Sequence, residues 1–166
     1  MASDIYCIDA SSLIEIKQRF LRKVFPGVWE EIERLVHGGR LIAPDEVFRE
    51  IENDDVLGAW ARQYRRMFVK PSQEQMDAAK EVAPQFPKLA KPGKFGPAAD
   101  PFVIGLAHLK ALELKWTLLA PKPECIVVSE ERGSGGIPAA CQHYKLTCIS
   151  HIGMFEREGW VFRRSE

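Results

Sequence analysis

The chain has no excess charge of either sign and no long apolar run. Its 166 residues carry 23 Lys and Arg against 23 Asp and Glu, so no overall positive field indicates a nucleic-acid partner, and any basic surface must be local. No apolar stretch approaches the roughly 18 residues of a membrane span. The opening residues carry an acid where a secretory signal would carry positive charge. We therefore expect a cytoplasmic protein that does not enter a membrane.

Paired cysteine motifs are also missing. None of the four cysteines forms a CxxC pair, which disfavours a disulfide framework and predicts reduced, mostly buried thiols. Residues of the types that bind zinc do occur close together in one short segment, but their spacing fits no standard zinc site. The sequence favours core packing there over a zinc site or a Cys-His nucleophilic pair. The residues concerned are Cys141, His143, Cys148 and His151.

Two other catalytic patterns are incomplete. Ser129 follows an apolar run, but the segment VVSEE lacks the flanking glycines of a nucleophile elbow. The glycines within 132–136 are not followed by the Lys-Ser/Thr of a phosphate-binding loop. That stretch predicts a mobile lid or turn instead.

What the chain does contain is one domain's worth of alternating strands and helices. Apolar residues make up 46% of it, enough for one core in a single domain over 1–166. Short apolar runs predict strands at 5–8, 41–43, 125–128 and 147–149, with an edge strand at 160–162. Helical periods fill the intervals, including an amphipathic helix with a basic side over 55–69 and a helix capped by Ser72 that stops at Pro84. A surface loop is expected over 84–97. The alternation predicts an α/β fold with a mainly parallel sheet and helices on both faces.

Acidic residues stand where the predicted strands end. Asp9 follows the first strand and Glu130-Glu131 follow the run at 125–128, while Asp100 begins an apolar helix and Glu50 lies on the helix after the second strand. Sites in open parallel sheets form beyond the carboxyl ends of the strands. Magnesium and manganese prefer oxygen ligands, and converging carboxylates repel one another unless a cation is bound.

Taken singly, each acid also suits an ordinary role. Asp9 and Asp100 could cap helices. Glu50 could be a solvated helix residue, and the acids at 130–131 could belong to a turn. Only the whole constellation favours a metal site.

Four segments, in order, resemble the PIN-domain ribonucleases, a superfamily that includes many toxins of bacterial and archaeal toxin-antitoxin systems. IYCIDASSLI resembles the family's strand, metal-binding Asp and following helix. IAPDEVFREIE resembles the segment in which a Glu precedes an aliphatic residue, and AADPFVIGLA resembles the helix with the third acid. Ser129-Glu130-Glu131 stands where the family usually has Thr, any residue, then Asp. The later IPAACQHYKLTCIS resembles the ending of a PIN-like subgroup of poorly defined function.

The resemblance covers nearly the whole chain and implies a three-layer PIN-like fold with metal-dependent hydrolysis of RNA. Asp9 and Asp100 would hold the main Mg²⁺ or Mn²⁺ ion, and Glu50 would bind or orient it. Glu131, a Glu in place of the usual Asp, would act through water or a second ion, and Ser11 would support the ligands. The catalytic and metal-binding set is therefore Asp9, Glu50, Asp100 and Glu131, with Glu50 preferred to Glu46 and Glu131 to Glu130.

The resemblance also implies partners: an RNA substrate, a cognate antitoxin covering the acidic cleft, and, left open, a second copy in a homodimer. A non-catalytic PIN-fold module that binds RNA or protein and a small metal-dependent DNA nuclease stay open as alternatives. Basic side chains that could hold the RNA backbone suit a solvated helix face or a soluble loop equally well. They are Arg62, Arg65, Arg66 and Lys70, or Lys88, Lys91 and Lys94.

Overall fold

A computed structural model describes residues 3–91 and 98–164. Its centre is a five-stranded sheet of order β3-β2-β1-β4-β5 in which every neighbouring pair is parallel. The strands are short and mostly buried, because helices cover both faces and so require continuous apolar runs. They are β1 (Ile5–Ile8), β2 (Leu41–Pro44), β3 (Phe68–Val69), β4 (Cys125–Val128) and β5 (Thr147–Ile149).

Eight α-helices lie within the described residues, and none of them is long and apolar enough to cross a membrane. Their ends follow the expected capping chemistry, as where the Ser72 hydroxyl accepts from the Gln75 amide at 3.2 Å. The helices are α1 (Ala10–Arg19), α2 (Pro26–His37), α3 (Asp45–Ile51), α4 (Leu57–Gln63), α5 (Gln73–Gln85), α6 (Asp100–Leu114), α7 (Ile137–His143) and α8 (His151–Glu158).

The architecture is the expected three-layer, PIN-like α/β fold. Helix α6 is the most apolar helix and packs against β1, β2 and β4, with α5 and α7 beside it. One continuous hydrophobic core joins the sheet to the helices. All four cysteines are free, and three of them are buried, as their apolar surroundings predict.

The single helix predicted over 55–69 is wrong. Helix α4 ends at Gln63, a 3₁₀ turn covers Arg65–Met67, and Phe68–Val69 form the edge strand β3 beside β2. The apolar residues there satisfy a helical period and a short buried strand equally well, and pairing with β2 decides between them. Lys70-Pro71 then ends the strand, since proline cannot donate to a ladder.

The edge strand predicted at 160–162 is also wrong. Those residues are irregular, and β5 is the last strand of the described sheet. Their aromatic rings pack on α8 instead, with the Phe155 centroid 4.9 Å from that of Trp160 and 6.4 Å from that of Phe162. Burying the rings against a helix replaces the strand pairing that the apolar pattern suggested.

The boundary placed at Pro84 is early by one residue, because α5 continues through Pro84 to Gln85. Residues 86–91 of the predicted loop form turns rather than a helix or strand. The remainder of that loop, 92–97, lies outside the described residues.

Candidate metal centre

The sheet changes its direction of growth between β1 and β4. From β1 the chain adds β2 and β3 on one side, and it adds β4 and β5 on the other. Such a switch point leaves a crevice at the carboxyl ends of the two central strands. Asp9 directly follows β1, and Ser129, Glu130 and Glu131 directly follow β4. These acids therefore flank a crevice that the topology itself creates.

Asp9 is 4% exposed and held by three donors. Its Oδ1 accepts from the Ser11 hydroxyl at 2.7 Å and the Ser12 amide at 3.0 Å, and its Oδ2 accepts from the Ser129 hydroxyl at 2.6 Å. Burial raises the pKa of Asp9, while these hydrogen bonds oppose the rise by favouring the charged form. Asp9 is thus both the cap of α1 and a carboxylate at the crevice.

Two serines tie Asp9 to the turn after β4. The Ser11 Oγ donates to Asp9 and accepts from the Glu130 amide at 3.1 Å, and the Ser129 Oγ does the same with the Glu131 amide at 3.1 Å. Ser11 therefore contacts both the Asp9 carboxylate and the backbone that follows β4. The sequence did not predict that Ser129 orients Asp9, because the two residues are 120 positions apart. The one signal for Ser129 was its position directly after a buried strand.

Glu130 also lines the crevice, but it is fixed to the protein through one of its carboxylate oxygens. Its Oε1 accepts from the Ser12 hydroxyl at 3.1 Å and from the His151 amide and Nδ1, each at 2.7 Å. Burial alone would raise the pKa of Glu130, but the hydrogen bonds from His151 and Ser12 outweigh it and lower that pKa. Glu130 therefore joins α1 to the start of α8.

Glu131 is held more loosely. Its Oε2 accepts from the Ile137 amide at 3.3 Å, at the start of α7. Its carboxylate also occupies the space where residue 136 would carry a side chain, since a Cβ on Gly136 would stand 1.8 Å from Glu131 Oε1. The glycine-rich stretch at 132–136 thus makes room for an acid at the crevice.

Glu50 joins α3 to the start of α6. Its Oε1 accepts from the Ala99 amide at 3.2 Å. Burial raises the pKa of Glu50, the Ala99 bond opposes that rise, and the charge of Asp9 adds to it. Glu46, the alternative on the same helix, is 7% exposed and does not line the crevice.

Asp100 is buried beside the other acids and has a strongly raised pKa. It is the first residue of α6, where the helix dipole favours negative charge. Burial and the charges of Asp9, Glu131 and Glu50 nevertheless raise the pKa of Asp100 to about 7. No donor among the described residues bonds its carboxylate. Asp100 is therefore the acid whose charge the protein itself stabilises least.

All four predicted acids line one cavity of about 470 Å³. Three come from ends of secondary structure around the switch point, and Glu50 comes from α3. The same cavity is lined by Ser11, Glu130 and a single lysine, Lys91. The structure thus brings together residues separated by up to 122 positions in the chain, from Asp9 to Glu131.

The donor chemistry of this cavity fits a hard divalent cation, which prefers carboxylate oxygens. Positive charge there would also relieve the repulsion that raises the pKa of Asp100. As the side chains stand in the described residues, no three His, Cys, Asp or Glu groups are close enough to hold an ion. Asp9, Glu50 and Glu131 are each turned to donors of the protein instead.

Of the four zinc-ligand types, Cys141 and Cys148 contact each other through their side chains. Cys141 is buried in α7, Cys148 lies on β5, and the His151 Nδ1 faces Glu130. The His143 ring lies against Phe86, with centroids 5.7 Å apart. Each residue thus has a packing or hydrogen-bonding role.

Most of the candidate RNA-binding cations are engaged elsewhere. Arg65 pairs with Asp45, Arg66 contacts His37, and Arg62 donates to the Glu52 carbonyl at 3.0 Å. Lys88 donates to the Ser134 carbonyl at 2.6 Å. Lys70 is exposed, and Lys94 lies outside the described residues. Lys91 is the candidate that the structure brings to the acidic cavity.

The fold and the cavity define an α/β domain with carboxylates gathered at its topological switch point. The chain belongs to the family described as "Domain of unknown function (DUF4411)", whose model matches residues 6–162. No curated protein and no solved structure matches it. Family membership therefore adds no chemistry, and the functional argument depends on the cavity itself.

Gly136→Ala is expected to displace the Glu131 carboxylate while leaving the fold intact. The clash involves the end of a flexible side chain, which can rotate away, so the loss of stability should stay near 1 kcal/mol. We expect divalent affinity to fall about 10- to 100-fold, the effect of displacing a supporting group. Mn²⁺ titration of parent and variant checks this, with Gly27→Ala as a control whose Cβ fits at 3.5 Å from Phe162. Equal affinities would show that Glu131 does not face the ion.

Proposed function

We propose that this protein is a PIN-type, Mg²⁺- or Mn²⁺-dependent endoribonuclease. The observation that supports the proposal most directly is the convergence of Asp9, Glu50, Asp100 and Glu131 on one cavity at the switch point. Structural acids are normally paired with cations or solvated. Here five acids, those four and Glu130, line one cavity with a single lysine among them. Burial and the charges of Asp9, Glu131 and Glu50 raise the pKa of Asp100 to about 7.

The residues of the cavity would have separate roles in binding the metal and orienting water. Asp9, oriented by Ser11 and Ser129, and Asp100, at the start of α6, would hold the main ion. Glu50 would fix its position, and Glu131 would orient water on the side of the turn. When bound, the metal would lower the pKa of an attacking water and offset charge developing on the phosphate. Lys91 is placed to attract the RNA backbone toward an otherwise acidic cavity.

The biological role proposed is that of a toxin restrained by a cognate antitoxin. An antitoxin that covers the acidic cavity would exclude substrate and would need positive charge to complement its carboxylates. Co-expression with a small neighbouring reading frame should then suppress both growth arrest and RNA cleavage.

Cleavage of a mixed RNA pool by the purified protein, with Mg²⁺, Mn²⁺ or EDTA, tests the activity. Glu131→Gln should lower the rate at least about tenfold by removing a charge at the metal. Glu130→Gln should act mainly on stability, by about 1–2 kcal/mol, because Glu130 accepts three bonds from Ser12 and His151.

The controls separate this function from the rivals. A DNA oligonucleotide of the same sequence, cleaved in preference to RNA, would indicate a DNA nuclease. RNA binding without cleavage in either metal would indicate a non-catalytic module. Loss of activity in Glu130→Gln at a temperature where it is folded, with Glu131→Gln unaffected, would contradict the ligand assignment.

A further inference from the structure

A second, apolar cavity of about 310 Å³ lies between α5 and the start of α6. Four alanines line it, together with Met76, Pro101 and Phe102, and Lys80 is the one charged residue among them. None of these residues is one of the four proposed metal ligands. The cavity is shallow and open, unlike a packing defect inside a core.

The cavity results from how α5 and α6 pack. Gly105 of α6 lets the two helices approach closely, since a Cβ there would stand 3.2 Å from the Ala79 amide and 3.3 Å from the Ala78 Cβ. On α6, Phe102 lies about one turn before Gly105 and carries a large ring. On α5, Ala83 lies one turn after Ala79 and carries only a methyl group. A ring and a methyl group that line a common gap leave a slot with apolar walls.

The slot lies beside the acidic cavity. Ala98 lines both, and Pro101 of the slot directly follows Asp100 of the metal centre. Consecutive Cα atoms are about 3.8 Å apart, so a wall of the slot directly adjoins an acid of the cavity. A lysine stands at each of the two cavities, Lys91 at the acidic one and Lys80 at the slot.

We propose that the slot binds an unpaired nucleobase of the RNA next to the phosphate that is cleaved, an inference that rests on the proposed function. A nucleotide presents an apolar, flat base and an anionic phosphate at a short fixed separation. The slot offers Phe102 and alanine methyl groups for the base, and Lys80 and Lys91 for phosphates on either side. An apolar protein side chain would fill the slot equally well but would leave the two lysines without complementary charge.

Two properties of the enzyme follow. The lining side chains have no group besides Lys80 that could read a base edge, so binding depends on stacking and tolerates sequence. A base can enter only when it is unpaired, so single-stranded RNA and loops are the substrate class rather than duplex.

Ala83→Phe fills the slot from a partly exposed position of α5, without adding charge. Its matched control is Ala59→Phe, at an exposed alanine of α4 away from both cavities. Each protein is assayed with Mn²⁺ on a single-stranded RNA oligonucleotide, on the same RNA with one abasic nucleotide at successive positions, and on bis(p-nitrophenyl) phosphate, a small diester without a base.

We expect Ala83→Phe to lower kcat/KM on RNA about 5- to 150-fold, the range set by loss of one stacked base, and to leave hydrolysis of the small diester unchanged. An abasic nucleotide beside the cleaved bond should cost the parent a similar factor and cost Ala83→Phe nothing further. Ala59→Phe should behave as the parent on every substrate.

Other outcomes would contradict the base-binding inference or the proposed function. If Ala83→Phe cleaves RNA as well as the parent, or if its effect and that of the abasic site multiply, the slot does not hold a base, and a protein side chain becomes its occupant. If the parent hydrolyses neither RNA nor the small diester, the proposed function fails, and the base-binding inference fails with it.

Discussion

Asp100→Asn is expected to abolish divalent-dependent RNA cleavage and to stabilise the metal-free protein at neutral pH and above. The substitution keeps the size of the side chain and removes one negative charge from the cavity. Loss of a supporting group around a metal costs about 10- to 100-fold, so loss of this ligand should lower the rate by at least about 100-fold.

The stability gain has a definite pH dependence. The pKa of Asp100 is raised to about 7 by burial and by Asp9, Glu131 and Glu50, whereas it returns to about 3.9 on unfolding. The folded parent is therefore penalised wherever Asp100 would be ionised in the unfolded chain. The penalty is absent below about pH 4, grows as the pH rises toward 7, and reaches at most about 4 kcal/mol above it. Asp100→Asn removes it.

Thermal melts of parent and variant in EDTA, at pH 4.5 and pH 8, measure this difference. The variant should melt higher at pH 8 and nearly equal at pH 4.5. Adding Mn²⁺ should raise the melting temperature of the parent by mass action and leave the variant almost unchanged. Asp77→Asn, which removes an exposed acid of α5, is the control. A variant that melts lower than the parent at pH 8 would show that Asp100 is structurally required.

Local pattern predicted most of the fold, because parallel strands buried on both faces are readable as short apolar runs. The runs at 5–8, 125–128 and 147–149 are strands with those bounds, and Ser72 caps α5 as its spacing indicated. The acids were placed by the same logic, since residues directly after such strands share one edge of the sheet.

Predictions from the apolar pattern were wrong where strand pairing or side-chain packing decides the conformation. Phe68–Val69 become a strand only because β2 offers an edge, and the residues at 160–162 leave the sheet because their rings pack on Phe155. Within the site, the bonds from Ser129 to Asp9 and from His151 to Glu130 span 120 and 21 residues. A single sequence carries no signal for such pairs beyond the polarity of the residues themselves.

Asp9→Asn is expected to lose cleavage by at least about 100-fold and, unlike Asp100→Asn, to destabilise the protein. Three donors converge on the two oxygens of Asp9, and an asparagine offers one oxygen and one amide group. If the amide oxygen keeps the cap to the Ser12 amide, the NH₂ must face the Ser129 hydroxyl. That hydroxyl already accepts from the Glu131 amide, so its own proton loses its acceptor.

Leaving a buried donor unsatisfied costs about 1–3 kcal/mol, and the relief of repulsion among the acids offsets this only in part, because the same three donors favour the charge of Asp9. Chemical denaturation at pH 8 in EDTA should therefore give a lower unfolding free energy for Asp9→Asn and a higher one for Asp100→Asn. Ser129→Ala tests the orientation of Asp9 apart from its charge, because it keeps the carboxylate and removes one of its donors. We expect this variant to bind Mn²⁺ and to cleave RNA about tenfold more slowly. If Asp9→Asn is instead as stable as the parent and cleaves RNA at the parental rate with metal, Asp9 only caps α1, and the cavity is not a metal centre.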